Sequence, residues 1–218
     1  MCDSKSMVNL NNPYPPVRPR PAAFVPLLLL FALGYPVFHC AVFSFLYRYT
    51  LAMALLVFTA SLFDRELLSK KRLLSLPGRK NGWAALLGTA AALTALLYGS
   101  TKLSSGATLV LDFYRPGPVI SGAEQMALVL ILIVPLEEVF FRAYGQLNFM
   151  NLLGRNAGLV LSSALYGLFF FFGGGWVLAL KFTALNLCLG LVYARTGSLS
   201  AAIAFRMALG LLIMLIPL

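Results

Sequence analysis

The residues best suited to chemistry lie in one short stretch, Pro135-Leu-Glu137-Glu138-Val-Phe-Phe-Arg142, at the end of a long apolar run. On a helix, Glu138 and Arg142 stand one turn apart and can pair, which offsets much of the cost of removing both charges from water. Glu137 is rotated by about 100° from Glu138 and must find its partner on another helix or on water. A carboxylate in a partly dry, protein-lined cavity is what a general base for water activation requires. Two further cations, Lys181 and Arg206, also fall inside apolar runs. Charged groups inside hydrocarbon are costly and mark functional sites by default. Lys181 is near enough to the end of its run to snorkel outward, so no role is assigned to it.

These groups need elements to hold them, and composition says which kind. The chain has 218 residues, 60% of them hydrophobic and only 11% charged, where soluble domains carry about one-quarter charged residues. A soluble domain is excluded, and so is a disordered chain, given 17 Phe and long Leu, Ala and Val runs. Seven apolar blocks are expected as spans, over Phe24–Leu46, Tyr49–Phe63, Trp83–Tyr98, Ile120–Phe141, Ala157–Phe172, Trp176–Ala194 and Leu199–Leu218. The fold class is therefore all-α, a polytopic transmembrane bundle of about seven spans. The +10 formal charge reads as the positive-inside rule rather than as nucleic-acid binding. With the N-terminus cytoplasmic, only Arg48, Lys102 and Arg115 among the loop cations fall outside. Residues 1–22 read as a polar, proline-rich cytoplasmic tail, and 23–119 as three spans with a basic interfacial stretch over 64–80 and an outer loop over 99–119. Residues 120–218 form a four-helix segment bearing the acidic motif. Cys40 and Cys188 read as small buried hydrophobes.

The E-E-x-x-x-R pattern of Glu137, Glu138 and Arg142 resembles the first motif of the CPBP family. That family comprises the type 2 CAAX prenyl endopeptidases and the bacterial proteins linked to bacteriocin self-immunity. Gly190-Leu-Val-Tyr-Ala-Arg195-Thr-Gly-Ser-Leu199 is similar to the turn leading into the family's last motif-bearing helix. The resemblance spans roughly residues 120–215. It implies an intramembrane endopeptidase in which the first Glu activates water, helped by an F-x-x-x-H and an H-x-x-x-N motif on later helices. Here the second motif falls on Tyr166-Gly-Leu-Phe-Phe170 and the third on Arg206-Met-Ala-Leu-Gly210, so neither histidine is present. Phe170 can neither donate a hydrogen bond nor carry a proton. The only histidine, His39, is expected as a hydrogen-bonded core residue in the other half of the bilayer. No cofactor and no metal is expected, because nothing supplies the imidazoles of a zinc site.

Counting inward from the expected cytoplasmic helix ends puts Glu137, Tyr166, Asn186 and Arg206 at a common depth of roughly 10–14 Å, if the fourth helix runs on to Gln146. The expectation is a polar layer of those four residues with Glu138–Arg142 beside it. Arg206 should form a salt bridge with Glu137 or Glu138, turning an ancestral active site into a structural clasp. The leading functional reading is a membrane protein of this family whose hydrolytic activity is lost or impaired, kept as a scaffold for a lipidated peptide or a membrane partner among the membrane lipids. An alternative is an active glutamic-type endopeptidase with Glu137 as base and Arg206 and Asn186 as oxyanion stabilisers. A small transporter subunit ranks last. The expected location is a bacterial inner membrane. The phenylalanines of 169–172 read either as lining a lipid-facing groove or as bilayer-exposed.

Overall fold

The computed structural model describes residues 24–40, 44–65, 67–69 and 122–215, with side chains as far as Leu211. Every regular element among them is helical. The expected tail (1–22), third span (83–98) and outer loop (99–119) lie outside the described residues, as does most of the basic stretch 64–80. Of that stretch, Leu67 is buried in the core and Leu68 is exposed.

Helix α1 spans Val25–His39, with a proline in its first turn where the missing N–H costs nothing. It ends at Cys40, and α2 spans Phe45–Phe63. The division between the first two blocks therefore falls well before Tyr49, and Phe45–Tyr49 belong to α2. His39 is exposed at the end of α1 with its ring 4.5 Å from that of Tyr35, so it is no core residue. Cys40 is likewise exposed, because it follows the last turn of α1 instead of lying inside a span; Cys188 is half-buried, and both are free thiols.

Helix α3 runs unbroken over residues 122–153, past the expected end of its block. Two stretches of it, Leu128–Ile133 and Val139–Gln146, are wound as wider π turns. Pro135 explains the first of these. It has no N–H to give to the carbonyl four residues back, and the ladder upstream loosens so that Val134 N–H bonds to Val129 O instead. Residues 137–147 are all buried, which for a helix means neighbours on every side. Those neighbours are α1 at Gly145, α2, and the helices that follow.

Arg155–Thr196 is one helical run in hydrogen bonding, but it folds back on itself at Gly174 and Gly175 (φ 66°). Helices α4 (155–173) and α5 (176–196) thus form an antiparallel hairpin. Arg155 Nη2 donates to Ala194 O at 2.8 Å at one end, and the Phe170 and Phe182 rings stack at 3.8 Å towards the other. Glycines let the two backbones approach: a Cβ on Gly167 would overlap Thr183 Oγ1 and the Ala179 carbonyl. Gly197 (φ 64°) closes α5, and Ser198 caps α6 (Leu199–Leu215) by accepting from Ala201 N–H at 3.1 Å.

Helix directions follow from the contacts. Phe24 lies beside Phe149, and Phe38 beside Phe169 and Phe170, so α1 runs from the Gly154 end of the bundle to the Gly174 end. Tyr47 OH donates to Glu124 at 2.9 Å near the starts of α2 and α3, which therefore run in the same direction. Phe169 and Phe170 are fully buried, packed on Phe38 and Tyr49; the 169–172 segment serves the core more than a lipid-facing groove.

Two helices are long and apolar enough to cross a membrane, Phe45–Phe63 and the Arg155–Thr196 run, while Val25–His39 and Leu199–Leu211 are shorter apolar helices. The outer surface supports the same solvent. Leu28, Leu51, Phe58, Ile131, Val160 and Leu180 are each more than half exposed, an apolar display that water would penalise and lipid does not. Close packing of the hairpin is directly testable. Gly167→Val should lower the thermal unfolding midpoint in detergent by several degrees, at roughly 2–4 °C for each of about 1–3 kcal/mol of overpacking. Gly122→Ala, where a Cβ meets nothing within 4 Å, should leave the midpoint unchanged or slightly raised.

Candidate functional site

Midway along α3 the chain brings two carboxylates into a dry interior. Glu137 and Glu138 are 2% and 3% exposed, and their rotation about the helix sends them to different partners. Glu137 faces α2, α4 and α6. Its Oε1 accepts from the Tyr49 hydroxyl and, at 3.0 Å, from the Tyr166 hydroxyl. Its Oε2 accepts from Arg206 Nη2 at 2.9 Å. The same Nη2 donates to Tyr166 Oη at 2.7 Å, and the guanidinium carbon stands 5.8 Å from the centre of the Tyr166 ring. Arg206, Tyr166 and Glu137 thus form a closed triangle of hydrogen bonds across three helices. Arg206 is only 3% exposed, so both charges of the pair have left solvent together.

Glu138 pairs along its own helix instead. Its Oε2 accepts from Arg142 Nε at 3.1 Å, the one-turn pairing expected from spacing. Arg142 is fully buried, and its other nitrogens donate to Gln146 Oε1 at 3.4 Å and to Asn186 Oδ1. Gln146 Nε2 then reaches the Gly190 carbonyl at 3.0 Å. Gly190 is glycine for a local reason, since a Cβ there would stand 3.0 Å from Gln146 Oε1 and 3.2 Å from Arg142 Nη1.

The six residues singled out from sequence therefore converge, but as two clusters rather than one layer. Glu137, Tyr166 and Arg206 form the first; Glu138, Arg142 and Asn186 form the second. Asn186 belongs with Arg142 because Oδ1 and Nδ2 are turned to the guanidinium and, at 3.5 Å, to the Ser162 carbonyl. The depth estimate also needs correction. Helix α3 runs on to Leu153, so Glu137 is not nine residues from its end. The wide π turns between Glu138 and Gln146 fit more residues into each unit of length, which keeps Glu137 level with Tyr166 all the same.

Two participants were not foreseen. Gln146 sits four residues beyond Arg142 on the same stripe, so i, i+4 arithmetic points to it once α3 is extended. Tyr49 carries no such signal, because it reaches Glu137 from a separate helix. Phe170 is buried flat against Phe182 and edge-on to Phe169. Among the described residues no three His, Cys, Asp or Glu side chains gather as a metal site would need.

Both clusters balance charge, one carboxylate to one guanidinium, and breaking either from one side strands a buried charge. Arg142→Leu should therefore cost about 3–5 kcal/mol. Asn186→Leu, which removes one acceptor from Arg142, should cost about 1–3 kcal/mol. Thermal unfolding in detergent reads both, and an Arg142→Leu protein as stable as the wild type would contradict the arrangement.

Residues 119–212 match the family described as type II CAAX prenyl endopeptidase, Rce1-like. No curated protein and no solved structure matches the chain. The matched segment contains α3 to α6 up to Met207 and beyond, hence both carboxylates and both buried arginines; Tyr49 lies outside it.

Proposed function

We propose that the chain, whose residues 119–212 match the Rce1-like family, is an integral membrane protein resembling CAAX-type intramembrane proteases, with its hydrolytic activity lost or strongly impaired. The bundle is kept as a scaffold for a lipidated peptide or a membrane-embedded partner. One observation carries this reading: the Glu137 carboxylate accepts from Tyr49, Tyr166 and Arg206 at once. A carboxylate has about four acceptor sites, so at most one remains for a water to be activated. A general base must also be within hydrogen-bond reach of the proton it removes, and here donors occupy that reach.

The positions aligned with the family's later motifs support the same reading. Phe170, where the motif has histidine, offers only a ring face to its neighbours. Arg206, aligned with the other histidine, is engaged by the very carboxylate that would otherwise act as base. The amide of Asn186 is turned to Arg142 and to the Ser162 carbonyl, which counts against its use as an oxyanion donor beside Glu137. The accompanying topology is seven spans with the N-terminus in the cytoplasm, and the host membrane a bacterial inner membrane. The charge asymmetry of the loops supports the orientation.

A cleavage assay in proteoliposomes with a farnesylated peptide decides the matter. Wild-type protein and Glu137→Ala should both release product at the rate of protein-free liposomes. Cleavage by the wild type that disappears in Glu137→Ala would restore an active peptidase and remove this proposal.

A further inference from the structure

Arg206 is the evident restraint on Glu137, and its Nη2 holds one of the two carboxylate oxygens, Oε2. We infer that Tyr49, on α2 and outside the family-matched segment, is a second positioning residue for the same carboxylate, holding Oε1 whether or not Arg206 is present. The inference rests on the closed-site reading above and extends the site to a helix the family match does not include.

Three observations support it. Tyr49 is completely buried, with its ring packed among Phe45, Phe169 and Phe170 at centroid distances of 5.6, 6.1 and 6.0 Å. That aromatic shell fixes the direction of the hydroxyl, and the hydroxyl meets Glu137 Oε1. A buried phenol needs a partner, and an ionised carboxylate is the strongest acceptor available to it. The two tyrosines are also not equivalent. Tyr166 is tied to Arg206, because its oxygen accepts from Nη2 while its proton goes to Oε1. Loss of Arg206 therefore removes the donor to the Tyr166 oxygen, although the Tyr166 ring keeps its packing against Phe141, Phe170 and Phe182. Tyr49 comes from α2, with its ring anchored by α2 and α4 rather than by α6, and keeps its hold.

The consequence is that an Arg206 substitution alone leaves Glu137 oriented and partly covered. Tyr49 on α2 must let go, as well as Arg206 on α6 and Tyr166 on α4, before the carboxylate is free to turn.

Infrared difference spectroscopy on the full-length protein in lipid nanodiscs tests this without any cleavage readout. Subtracting the Glu137→Gln spectrum identifies the Glu137 carboxylate bands. Tyr49→Phe, which removes one oxygen and keeps the ring, should shift those bands in the wild-type background and again in the Arg206→Gln background. The same substitution should lower the thermal midpoint by roughly 2–4 °C in the wild type and by under about 1 °C in a Glu137→Leu/Arg206→Leu background, which leaves no acceptor at position 137 and no stranded cation. Glu137→Asp, which withdraws the carboxylate from Tyr49 while keeping its charge, serves as reference if Glu137→Gln does not accumulate. Bands that stay in place on Tyr49→Phe, or an equal thermal loss in both backgrounds, overturn the inference. Peptidase activity dependent on Glu137 would sink the closed-site proposal while leaving these two readouts to be judged on their own.

Discussion

The ion pair between Glu137 and Arg206 sits where neither charge could remain alone. Moving an isolated carboxylate or guanidinium out of water costs several kcal/mol even after relaxation, and the mutual attraction offsets that only with good geometry and further hydrogen bonds. Both conditions are met here, at 2.9 Å and with two phenols completing the carboxylate. Helix α6 packs against the bundle through Leu199, Ala201, Ala202 and Leu209, with Ile203 and Met207 also against the core, and Arg206 carries a charge into the interior. Helices α2 and α4 supply the tyrosines, and α3 supplies the acid. The relative placement of four helices is thus referred to one carboxylate.

The second cluster does for the hairpin what the first does for α6. Arg142 spans the gap between α3 and α5, and Gly190 permits the approach that makes its bonds short. Adjacent residues on one helix thereby pair with different cations, Glu137 with Arg206 and Glu138 with Arg142. Such an interior is expensive to assemble and intolerant of partial loss, which is why buried polar networks specify one arrangement of their helices. A base acts by changing partners during a reaction, whereas the Glu137 carboxylate already accepts from Tyr49, Tyr166 and Arg206.

Much of this was legible in the sequence, for identifiable reasons. The helical class follows from composition, and the Glu138–Arg142 pair from spacing along one helix, since a helix carries its own geometry. The meeting of Arg206 with Glu137 was reachable by counting residues from helix ends, because two buried charges of opposite sign at similar depth have few alternatives. What failed was local. The depth count for Glu137 assumed a helix end at Gln146, whereas α3 runs on to Leu153 and is wound as π turns over Val139–Gln146. Asn186 was expected in one layer with Glu137, whereas it bonds to Arg142 and the Ser162 carbonyl, because depth fixes height in the bundle and says nothing of azimuth. Tyr49 was invisible, as a tyrosine in an apolar run looks the same whether its hydroxyl meets an acid or a headgroup. His39 and Cys40 were misjudged through a helix end placed several residues too late.

The most direct measurement is a double-mutant thermodynamic cycle on Glu137→Gln and Arg206→Gln, from unfolding in detergent or lipid. The account predicts that each single substitution destabilises the protein strongly and that the two effects are far from additive, with a coupling of about 2 kcal/mol or more. Additive effects, with a coupling near zero, would mean that the two side chains do not meet inside the bundle, and the clasp would have to be abandoned.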